Sequence, residues 1–391
     1  MRVLICGGGI AGLTLASCLA RRGITPLLVE RAGRLRDQGY MIDFFGSGFA
    51  VAARLGLLYD LEQIHYPVSS LTVLDPHGSV RLSIPYPVLR RRLFHDRHFN
   101  FMRGDLERLL YERIARRVEV RFGVTVTAVQ ERASGVVVVR LSDGSEHECD
   151  LVVGADGVHS DIRRLVFGAE ERFTRFLGCY AAAYVVPSHA PGVATGDAFA
   201  TLSVPRRQVA VYPLRGGGMA TFFLHRVSER SLDQSRRCAV RELHAVYGDL
   251  GWVVPALLAS AATAPDLFFD PVSQIELTHW SAGRVVLLGD ACYCVSLLAG
   301  QGAGMAVTGA YVLAEELAGA SDIPAALARY EARLRPGIER LQAAGRRVAD
   351  WFLPDTPARL ALRNLALRIS TWPIASTLVR RRMGAVSVLA D

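Results

Sequence analysis

Glycines and acidic residues are combined near the start of the chain in a pattern suited to nucleotide chemistry. Gly7, Gly9 and Gly12 follow the apolar run 3–6, and Glu30 stands 18 residues beyond Gly12. Such glycines permit a tight turn and let a pyrophosphate approach the free N–H groups of a helix N-terminus. An acid at the end of the next strand accepts hydrogen bonds from ribose hydroxyls. The spacing predicts a dinucleotide site rather than a purely structural turn, without separating FAD from NAD.

Two further motifs place an aspartate directly after a buried strand. Asp156 follows the apolar run 151–155, and Asp290 follows the run 285–288, with Gly302 a little further on. Carboxylates at the carboxyl ends of strands, beside glycine-rich turns, lie where nucleotides bind in open α/β sheets. Taken singly, either aspartate could equally cap a helix or close a turn.

The elements that must position these motifs follow from the hydrophobic pattern. Continuous apolar runs next to glycines are typical of parallel strands covered on both faces, whereas alternating runs with turn residues are typical of hairpins. The sequence predicts parallel strands at 3–6, 27–30, 151–155 and 285–288, helices at 11–22, 104–116 and 303–317, and antiparallel strands within 68–85, 118–149, 208–214 and 219–225. Residues 325–391 are predicted to be helical, with breaks at Pro336, Pro354, Pro357 and Pro373.

Composition excludes several classes of protein. The chain has 391 residues, of which 51% are hydrophobic and 21% charged, so it can build a sizeable core. None of the 45 basic residues is a lysine, which excludes Schiff-base chemistry on a protein lysine and a Walker P-loop. The seven scattered cysteines indicate reduced thiols, with no metal site, in a cytoplasmic protein. The arginines form no block interleaved with aromatics, so we expect no nucleic-acid partner.

The three motifs, in this order and spacing, resemble those of FAD-dependent monooxygenases of the para-hydroxybenzoate hydroxylase type, the flavoprotein aromatic hydroxylases. The resemblance extends over about residues 1–335. Residues 38–43 and 102–106 resemble in particular the branch that includes the tetracycline-inactivating monooxygenases.

The resemblance implies an α/β fold. Its parts would be a Rossmann-like FAD-binding domain with a parallel sheet, an interleaved antiparallel-sheet substrate domain, and C-terminal helices. The implied division assigns 1–67, 100–175 and 276–330 to the FAD-binding domain, 68–99 and 176–275 to the substrate domain, and 331–391 to the C-terminal helical region.

The resemblance also implies roles for individual residues. Those expected to bind cofactor are Gly7, Gly9, Gly12, Glu30, Arg31, Arg36, Asp43, Arg103, Asp156, Asp290, Gly302 and Ala303. Among them, Asp290 would bind the ribityl chain of FAD, Gly302 and Ala303 would begin a helix near the flavin ring, and Arg36 would contact NADPH. A solvated surface position is the alternative for Arg36.

Three positions depart from the family pattern. Tyr293 stands where the family usually has histidine, Leu297 where it has proline, and Gly304 where asparagine is frequent. These departures concern substrate contact near the flavin ring, not FAD binding. Tyr293 and Tyr212 are the candidate catalytic side chains, although chemistry driven by the flavin needs few protein acids.

The resemblance implies a single-component monooxygenase with tightly bound, non-covalent FAD. It would use NADPH or NADH, with O2, to form a flavin C4a-hydroperoxide that hydroxylates or epoxidises a hydrophobic, aromatic or polyketide-like molecule. Baeyer–Villiger insertion would use the same intermediate. Two alternatives stay open: an FAD-dependent dehydrogenase or reductase without oxygen insertion, and a flavin-loaded, non-redox binding or cyclase-like protein. We expect a monomer or homodimer without membrane association.

Overall fold

The computed structural model describes residues 1–35, 39–187, 197–215, 217–228, 230 and 235–370. Its strands are β1 (Val3–Cys6), β2 (Leu27–Glu30), β3 (Met41–Phe45), β4 (Ser70–Leu74), β5 (Val80–Pro85), β6 (His98–Met102), β7 (Glu119–Phe122), β8 (Val126–Glu131), β9 (Val137–Leu141), β10 (Glu146–Cys149), β11 (Leu151–Gly154), β12 (Thr174–Val186), β13 (Phe199–Val204), β14 (Arg207–Pro213), β15 (Met219–Arg226), β16 (Phe268–Ile275), β17 (Ser281–Ala282) and β18 (Val285–Leu287).

Its helices are α1 (Ile10–Ala20), α2 (Ser47–Arg54), α3 (Leu58–Ile64), α4 (Tyr86–Phe94), α5 (Arg103–Glu112), α6 (Asp161–Val166), α7 (Arg236–Tyr247), α8 (Val254–Ala261), α9 (Asp290–Tyr293), α10 (Gly302–Leu317), α11 (Ile323–Phe352) and α12 (Pro357–Ser370). None of these helices is both long enough and apolar enough to cross a bilayer.

A mostly parallel sheet carries the three motifs of the sequence. Its strand order is β17-β18-β11-β1-β2-β7, and every pairing except β17–β18 is parallel. The side chains of β1, β11 and β18 are all buried, as expected for strands covered on both faces. Because the strands are parallel, the segments after β1, β2, β11 and β18 meet at one edge of the sheet.

A second, seven-stranded sheet has the order β16-β12-β15-β14-β13-β4-β5. Its pairings are antiparallel except for β13 with β4. Side chains alternate between its two faces: Ala200 and Leu202 pack into a core shared with α7 and α8, while Thr201 and Ser203 face the other way. The predicted antiparallel sheet is confirmed, but the sequence pattern missed α7 and α8.

Two smaller sheets complete the strands. The hairpins of β8, β9 and β10 form one, with the predicted turn at Asp143 and Gly144. The other is the antiparallel pair β3–β6, which the sequence analysis did not predict. This pair places Met41 and Asp43 beside the large cavity described below.

The C-terminal helices differ from the prediction at Pro336. This proline lies inside α11, which continues through it to Phe352, so the predicted break there was wrong. Leu334 and Ile338 are buried on either side of it, and this packing holds the two halves of the helix together despite the lost backbone hydrogen bond. Pro354 and Pro357 do mark the break between α11 and α12, and Pro373 lies outside the described residues. Helix α11 begins at Ile323, two residues before the start of the predicted helical segment 325–391.

The contact between α2 and α10 depends on a glycine. A Cβ atom on Gly48 would overlap the backbone of Gly304, which cannot move without shifting α10. We expect Gly48→Ala to lower the free energy of unfolding by about 1–3 kcal/mol through overpacking. Thermal or denaturant unfolding measures this change. Gly33→Ala is the matched control, because a Cβ there meets no atom within 4 Å. Equal stability of the two variants would contradict the close contact.

Candidate cofactor and substrate site

A large cavity lies between the parallel sheet, the antiparallel sheet and the C-terminal helices. Its volume is about 1630 Å³. The predicted site residues that line it are Gly7, Gly9, Glu30, Arg31, Asp43, Arg103, Asp156, Tyr212, Asp290, Gly302 and Ala303. Gly12 and Tyr293 are not part of its lining, and Arg36 lies outside the described residues.

The glycine loop between β1 and α1 is shaped by backbone contacts. Gly7 has a φ of +112°, and a Cβ atom there would overlap the carbonyl group of Ala155. A Cβ on Gly12 would overlap the carbonyl oxygen of Gly7, so Gly12 supports the loop from behind the cavity. Gly9 instead faces the cavity and precedes α1, which has no side-chain cap and no acid in its first turn. The positive end of α1 therefore opens toward the cavity.

The carboxylate of Glu30 is held beside this loop. Its Oε2 accepts a hydrogen bond from the Gly8 N–H at 2.6 Å, and its Oε1 accepts one from the Ala32 N–H at 2.8 Å. These bonds fix the carboxylate at the end of β2, where it lines the cavity next to the α1 N-terminus. Glu30 was predicted from its spacing in the sequence, but Gly8 was not, because it contributes only a backbone N–H group.

Arg103, the first residue of α5, reaches the cavity from the next segment. Its guanidinium pairs with the buried Glu107 at 2.9 Å. The negative charge of Glu107 is the main reason why the pKa of Arg103 is raised, so the arginine stays charged despite burial. Glu107 was not predicted from the sequence, although its position four residues after Arg103 on a helix is a recognisable signal.

Asp43 belongs to a polar network on the β3–β6 pair. Its Oδ1 accepts a hydrogen bond from Asn100 Nδ2 at 2.7 Å, lies 2.9 Å from His98 Nε2 and accepts a longer bond from the Tyr86 hydroxyl at 3.4 Å. His98, Asn100 and Tyr86 come from 43 to 57 residues away in the chain. The network orients Asp43 at the cavity wall, and only tertiary packing assembles it.

The two motif aspartates differ in what they contact. Asp156 accepts hydrogen bonds from the Ser160 hydroxyl at 2.5 Å and the Ile162 N–H at 3.0 Å. Burial raises its pKa, which these bonds oppose. Asp156 thus supports the start of α6 while it lines the cavity. Its observed contacts are those expected if it helps to cap a helix, which was the alternative to a nucleotide-binding role.

Asp290 is the first residue of α9 and is accessible through the cavity that it lines. Enclosure by protein raises its pKa, whereas the charge of Arg103 lowers it. A Cβ atom on Gly302 would lie 3.9 Å from Asp290 Oδ1, so the carboxylate stands at the start of α10. The α10 N-terminus has no side-chain cap and no acid in its first turn.

The two candidate tyrosines are placed differently. The Tyr212 hydroxyl accepts a hydrogen bond from the Met41 N–H at 2.6 Å, and its ring lines the cavity beside Phe199. Tyr293 is buried against Trp280 and Tyr330, with its hydroxyl 3.4 Å from that of Tyr330. This position gives Tyr293 a packing role rather than contact with the cavity.

The other departures from the family pattern also have defined positions. Leu297 lines the cavity, and Gly304 faces Gly48 at the close contact between α10 and α2. Arg31 is exposed and lies 3.6 Å from Asp161. Leu297 also packs against a small core cluster that includes Leu298 and Leu353, and the close approach of Gly48 explains the glycine at position 304.

His159 connects segments from both sheets. Its Nδ1 lies 3.1 Å from Glu170 and its Nε2 lies 3.1 Å from Asp270, which belongs to β16. Hydrogen bonds to Asp270 and then Glu170 raise the pKa of His159 to about 9, so the imidazole is charged at neutral pH. No sequence signal links His159 to Asp270, which is 111 residues away.

These residues fit a bound dinucleotide. The uncapped α1 N-terminus suits a pyrophosphate, the oriented Glu30 carboxylate suits ribose hydroxyls, and Asp290 with the α10 N-terminus stands further along the same cavity. A cavity that continues past these groups can hold a second molecule beside the cofactor.

Comparisons with known proteins agree with this arrangement. A family model described as an FAD binding domain matches residues 94–344. A flavin-dependent monooxygenase from an unknown prokaryotic organism is 30% identical over 359 residues, covering 91% of each chain. The crystal structure of tetracycline destructase Tet(55) superposes with a TM-score of 0.84 at 27% identity, covering 100% of this chain and 98% of that one.

A further solved structure includes a flavin. Klebsiella pneumoniae HpxO, complexed with FAD and uric acid, superposes with a TM-score of 0.80 at 25% identity, covering 99% of this chain and 97% of that one. Fold and site together define an FAD-dependent oxidoreductase. The chain belongs to the family of flavin-dependent monooxygenases with this FAD-binding domain, which confirms the resemblance seen in the sequence.

We expect Asp290→Ala to weaken FAD retention, because the cavity loses an acceptor for the cofactor's hydroxyl groups. Loss of a charged hydrogen-bond partner predicts a dissociation constant about 10-fold to 100-fold higher. The ratio of flavin to protein absorbance and titration of the apoprotein with FAD measure it. Asp266→Ala, at an exposed acid, is the control. Full flavin occupancy in the Asp290 variant would remove this residue from the cofactor site.

We expect the stabilisation supplied by His159 to depend on pH. Since its pKa is raised from 6.5 to about 9 on folding, the contribution is complete below pH 6.5 and is lost as the pH rises through 9. The difference in melting temperature between wild type and His159→Gln should shrink over this interval. His77→Gln, at an exposed turn, is the control. A difference that stays constant with pH would show that His159 does not titrate as described.

Proposed function

We propose that this protein is a single-component monooxygenase that uses NAD(P)H and O2 to hydroxylate or epoxidise a hydrophobic small molecule, of aromatic or polyketide-like character. The observation that carries the proposal is one continuous cavity that joins the predicted FAD residues to an apolar chamber. The chamber is lined mainly by Leu71, Val73, Phe199, Phe222, Phe268 and Leu297. A cofactor and an apolar substrate can therefore lie side by side, away from bulk water.

The predicted cofactor residues support FAD in a defined orientation along the cavity. In this arrangement the α1 N-terminus and Glu30 hold the ADP half, and Asp290 holds the ribityl chain. FAD, when bound, supplies the transfer of electrons from NAD(P)H and the activation of O2. The flavin ring would lie toward α10, Arg103 and the substrate chamber.

The N-terminus of α10 provides a positive electrostatic potential at the end of the cavity where the flavin ring would lie. It begins at Gly302 beside Asp290 and Ala303, without a side-chain cap. Its free N–H groups and the helix dipole stabilise negative charge that develops next to them. Gly302 also keeps this approach open, because it places no side chain between the helix and the cavity.

The antiparallel sheet and the C-terminal helices form the walls that orient the substrate. Phe222 and Phe268 extend from strands of the sheet, and Phe352 extends from the end of α11. Burial of an apolar substrate against these rings stabilises the complex by about 25 cal/mol per Å² of apolar surface removed from water. The same walls exclude water from the reacting atoms.

NAD(P)H is the second nucleotide that the proposed reaction requires. We propose that it binds transiently near Arg31 and Arg36, which follow β2 in the sequence. Arg31 is exposed at the cavity, where an arginine can pair with a phosphate. The position of Arg36 as an NADPH contact stays a prediction.

Isotope labelling tests the proposed reaction. The FAD-loaded protein would be given NADPH, isotopically heavy O2 and a panel of naphthols and polycyclic phenols. We expect substrate-stimulated NADPH oxidation and a product heavier by one labelled oxygen atom. The control uses ordinary O2 in water that carries the heavy oxygen isotope, and no labelled oxygen should then appear in the product.

The other outcomes of this experiment correspond to the two alternative functions. NADPH oxidation that yields a changed product without labelled oxygen would support a dehydrogenase or reductase. A product formed without NADPH consumption would support the cyclase-like function. Either result would overturn the monooxygenase proposal for the compound concerned.

A further inference from the structure

The face of the antiparallel sheet that lines the cavity changes character along its strands. Near β3 it is aromatic, where Phe199 and Tyr212 pack with ring centroids 5.6 Å apart. Toward the turn between β13 and β14 it becomes polar, with Thr201, Ser203 and Gln208 lining the cavity. Gln208 is four residues from Tyr212, which corresponds to about 13 Å along a strand.

The aromatic end lies nearer the predicted cofactor residues. The Tyr212 hydroxyl accepts a hydrogen bond from Met41, and the carbonyl of the neighbouring Tyr40 accepts one from the Arg103 N–H. The polar end is therefore the part of this wall that is remote from the cofactor segments. A substrate that spans the cavity would present one end to the flavin and the other to these polar groups.

Two hydroxyl groups at the polar end are buried without a partner. Thr201 is 6% exposed and Ser203 is 8% exposed, and neither hydroxyl has a hydrogen-bond partner in the part of the chain that the structure describes. Gln208, directly opposite Ser203 on β14, is 8% exposed. Buried hydroxyls without partners cost free energy, and a ligand that hydrogen-bonds to them recovers it.

Arg363 of α12 lines the same end of the cavity. The main chain of Arg206, in the turn between β13 and β14, donates a hydrogen bond to the Pro354 carbonyl at 2.9 Å. Two residues earlier, the Phe352 carbonyl accepts a hydrogen bond from Arg363 Nη1 at 3.0 Å. Helix α12 also packs against β13. These contacts place Arg363 next to the polar end of the sheet.

The guanidinium of Arg363 is buried without a counter-ion. The residue is 5% exposed, and its nitrogens donate to neutral acceptors, the Phe352 carbonyl and the Asn364 side chain. Among the described residues no carboxylate lies within ion-pair distance of it. The nearby Asp350 and Asp355 pair instead with Arg226 and Arg206. Burial lowers the pKa of Arg363 to about 10, so it remains charged at neutral pH.

The charges around the cavity are unevenly distributed. The acids in its described lining come from other segments: Glu30, Asp43, Glu107, Asp156, Asp161, Asp270 and Asp290. The part of α11 and α12 that lines it contributes Arg340, Arg347 and Arg363 but no acid. Because a buried charge is stable only when it is paired, this end of the cavity favours an anionic ligand.

We propose that Thr201, Ser203, Gln208 and Arg363 form a subsite for an anionic oxygen group of the substrate, such as a carboxylate or an ionised acidic hydroxyl. The proposal rests on the proposed function, since it assigns the end of the substrate away from the reacting atoms. All four side chains can donate a hydrogen bond to such an oxygen. The substrate is accordingly an amphipathic acid with an apolar body, not a neutral hydrocarbon.

The test compares two ligands of the same shape on the FAD-loaded full chain. The probes are 4′-hydroxybiphenyl-4-carboxylate and the corresponding 4-carboxamide, and dissociation constants come from flavin absorbance changes and calorimetry. We expect the carboxylate to bind at least about 10-fold more tightly, as for a hydrogen bond to a charged group. Equal affinity for the two probes, or no measurable binding of the carboxylate, overturns the proposal.

Variants identify the residues responsible. Arg363→Gln should abolish the preference for the carboxylate, and Arg363→Lys should retain part of it. Arg359→Gln is the matched control, because Arg359 lies one turn earlier on α12 with a side chain that is 71% exposed. FAD content is measured in each variant. If Arg363→Gln lowers stability but leaves the preference intact, the arginine only caps the end of α11, and the proposal is wrong.

A double substitution on the sheet leaves the contact between Arg363 and the end of α11 unchanged. Thr201→Val with Ser203→Ala removes the two hydroxyls at little change in volume and should weaken carboxylate binding by about 10-fold. Unchanged binding would exclude these residues from the subsite. NADPH oxidation and labelled-oxygen insertion are measured separately. A carboxylate preference without oxygen insertion would reject the proposed function and keep the subsite, whereas the reverse would reject the subsite alone.

Discussion

The close backbone contacts behind the glycine loop are the constraint on which the rest of the site depends. Gly7 donates a hydrogen bond to Val29 at 2.8 Å, Ala155 donates one to Cys6 at 2.7 Å, and Gly12 lies against the Gly7 carbonyl. These contacts bring the ends of β1, β2 and β11 together without intervening side chains. As a result the uncapped start of α1 and the carboxylate of Glu30 meet at one edge of the parallel sheet, and the cavity begins there.

The two faces of the antiparallel sheet contact different surroundings, a hydrophobic core on one side and the cavity on the other, because its side chains alternate between the faces. Ala200, Leu202 and Val209 pack toward α7 and α8, whereas Thr201, Ser203 and Gln208 face the cavity. The core on one face makes the sheet rigid, so the opposite face can present polar groups at defined positions. Since these polar positions carry little of the packing, substitutions there can change which ligand is bound at a smaller cost to the fold.

Electrostatics divides the cavity along its length. Toward the parallel sheet, the cationic side chains of Arg103 and His159 are paired with the carboxylates of Glu107 and Asp270. Toward the C-terminal helices, Arg363 has only neutral acceptors among the described residues. Paired charges maintain the structure of a site. A buried charge without a counter-ion is stabilised when a ligand of opposite charge binds next to it. The difference separates a region suited to holding a cofactor from a region suited to selecting a substrate.

Much of the architecture and the class of cofactor could be predicted from the sequence, because short, local sequence patterns indicate them. A nucleotide-binding loop is predicted by the spacing of Gly7, Gly9, Gly12 and Glu30. Parallel strands are indicated by the apolar runs that precede Asp156 and Asp290. Local patterns failed at two places. Pro336 is tolerated inside α11, and α7 and α8, which lie in the range assigned to the substrate domain, were not predicted.

The site residues follow the same division. The sequence by itself determined the fold class and the family, since the motifs that indicate them each lie within a few tens of residues. Only the tertiary structure decided that Asp43 meets His98, that His159 meets Asp270 and that Tyr293 lies in the core. It also brought Arg363 to the same cavity as Thr201 and Ser203, which are more than 150 residues away in the chain. Contacts over such separations arise from the packing of helices and sheets, and the spacing of residues within a short segment does not predict them.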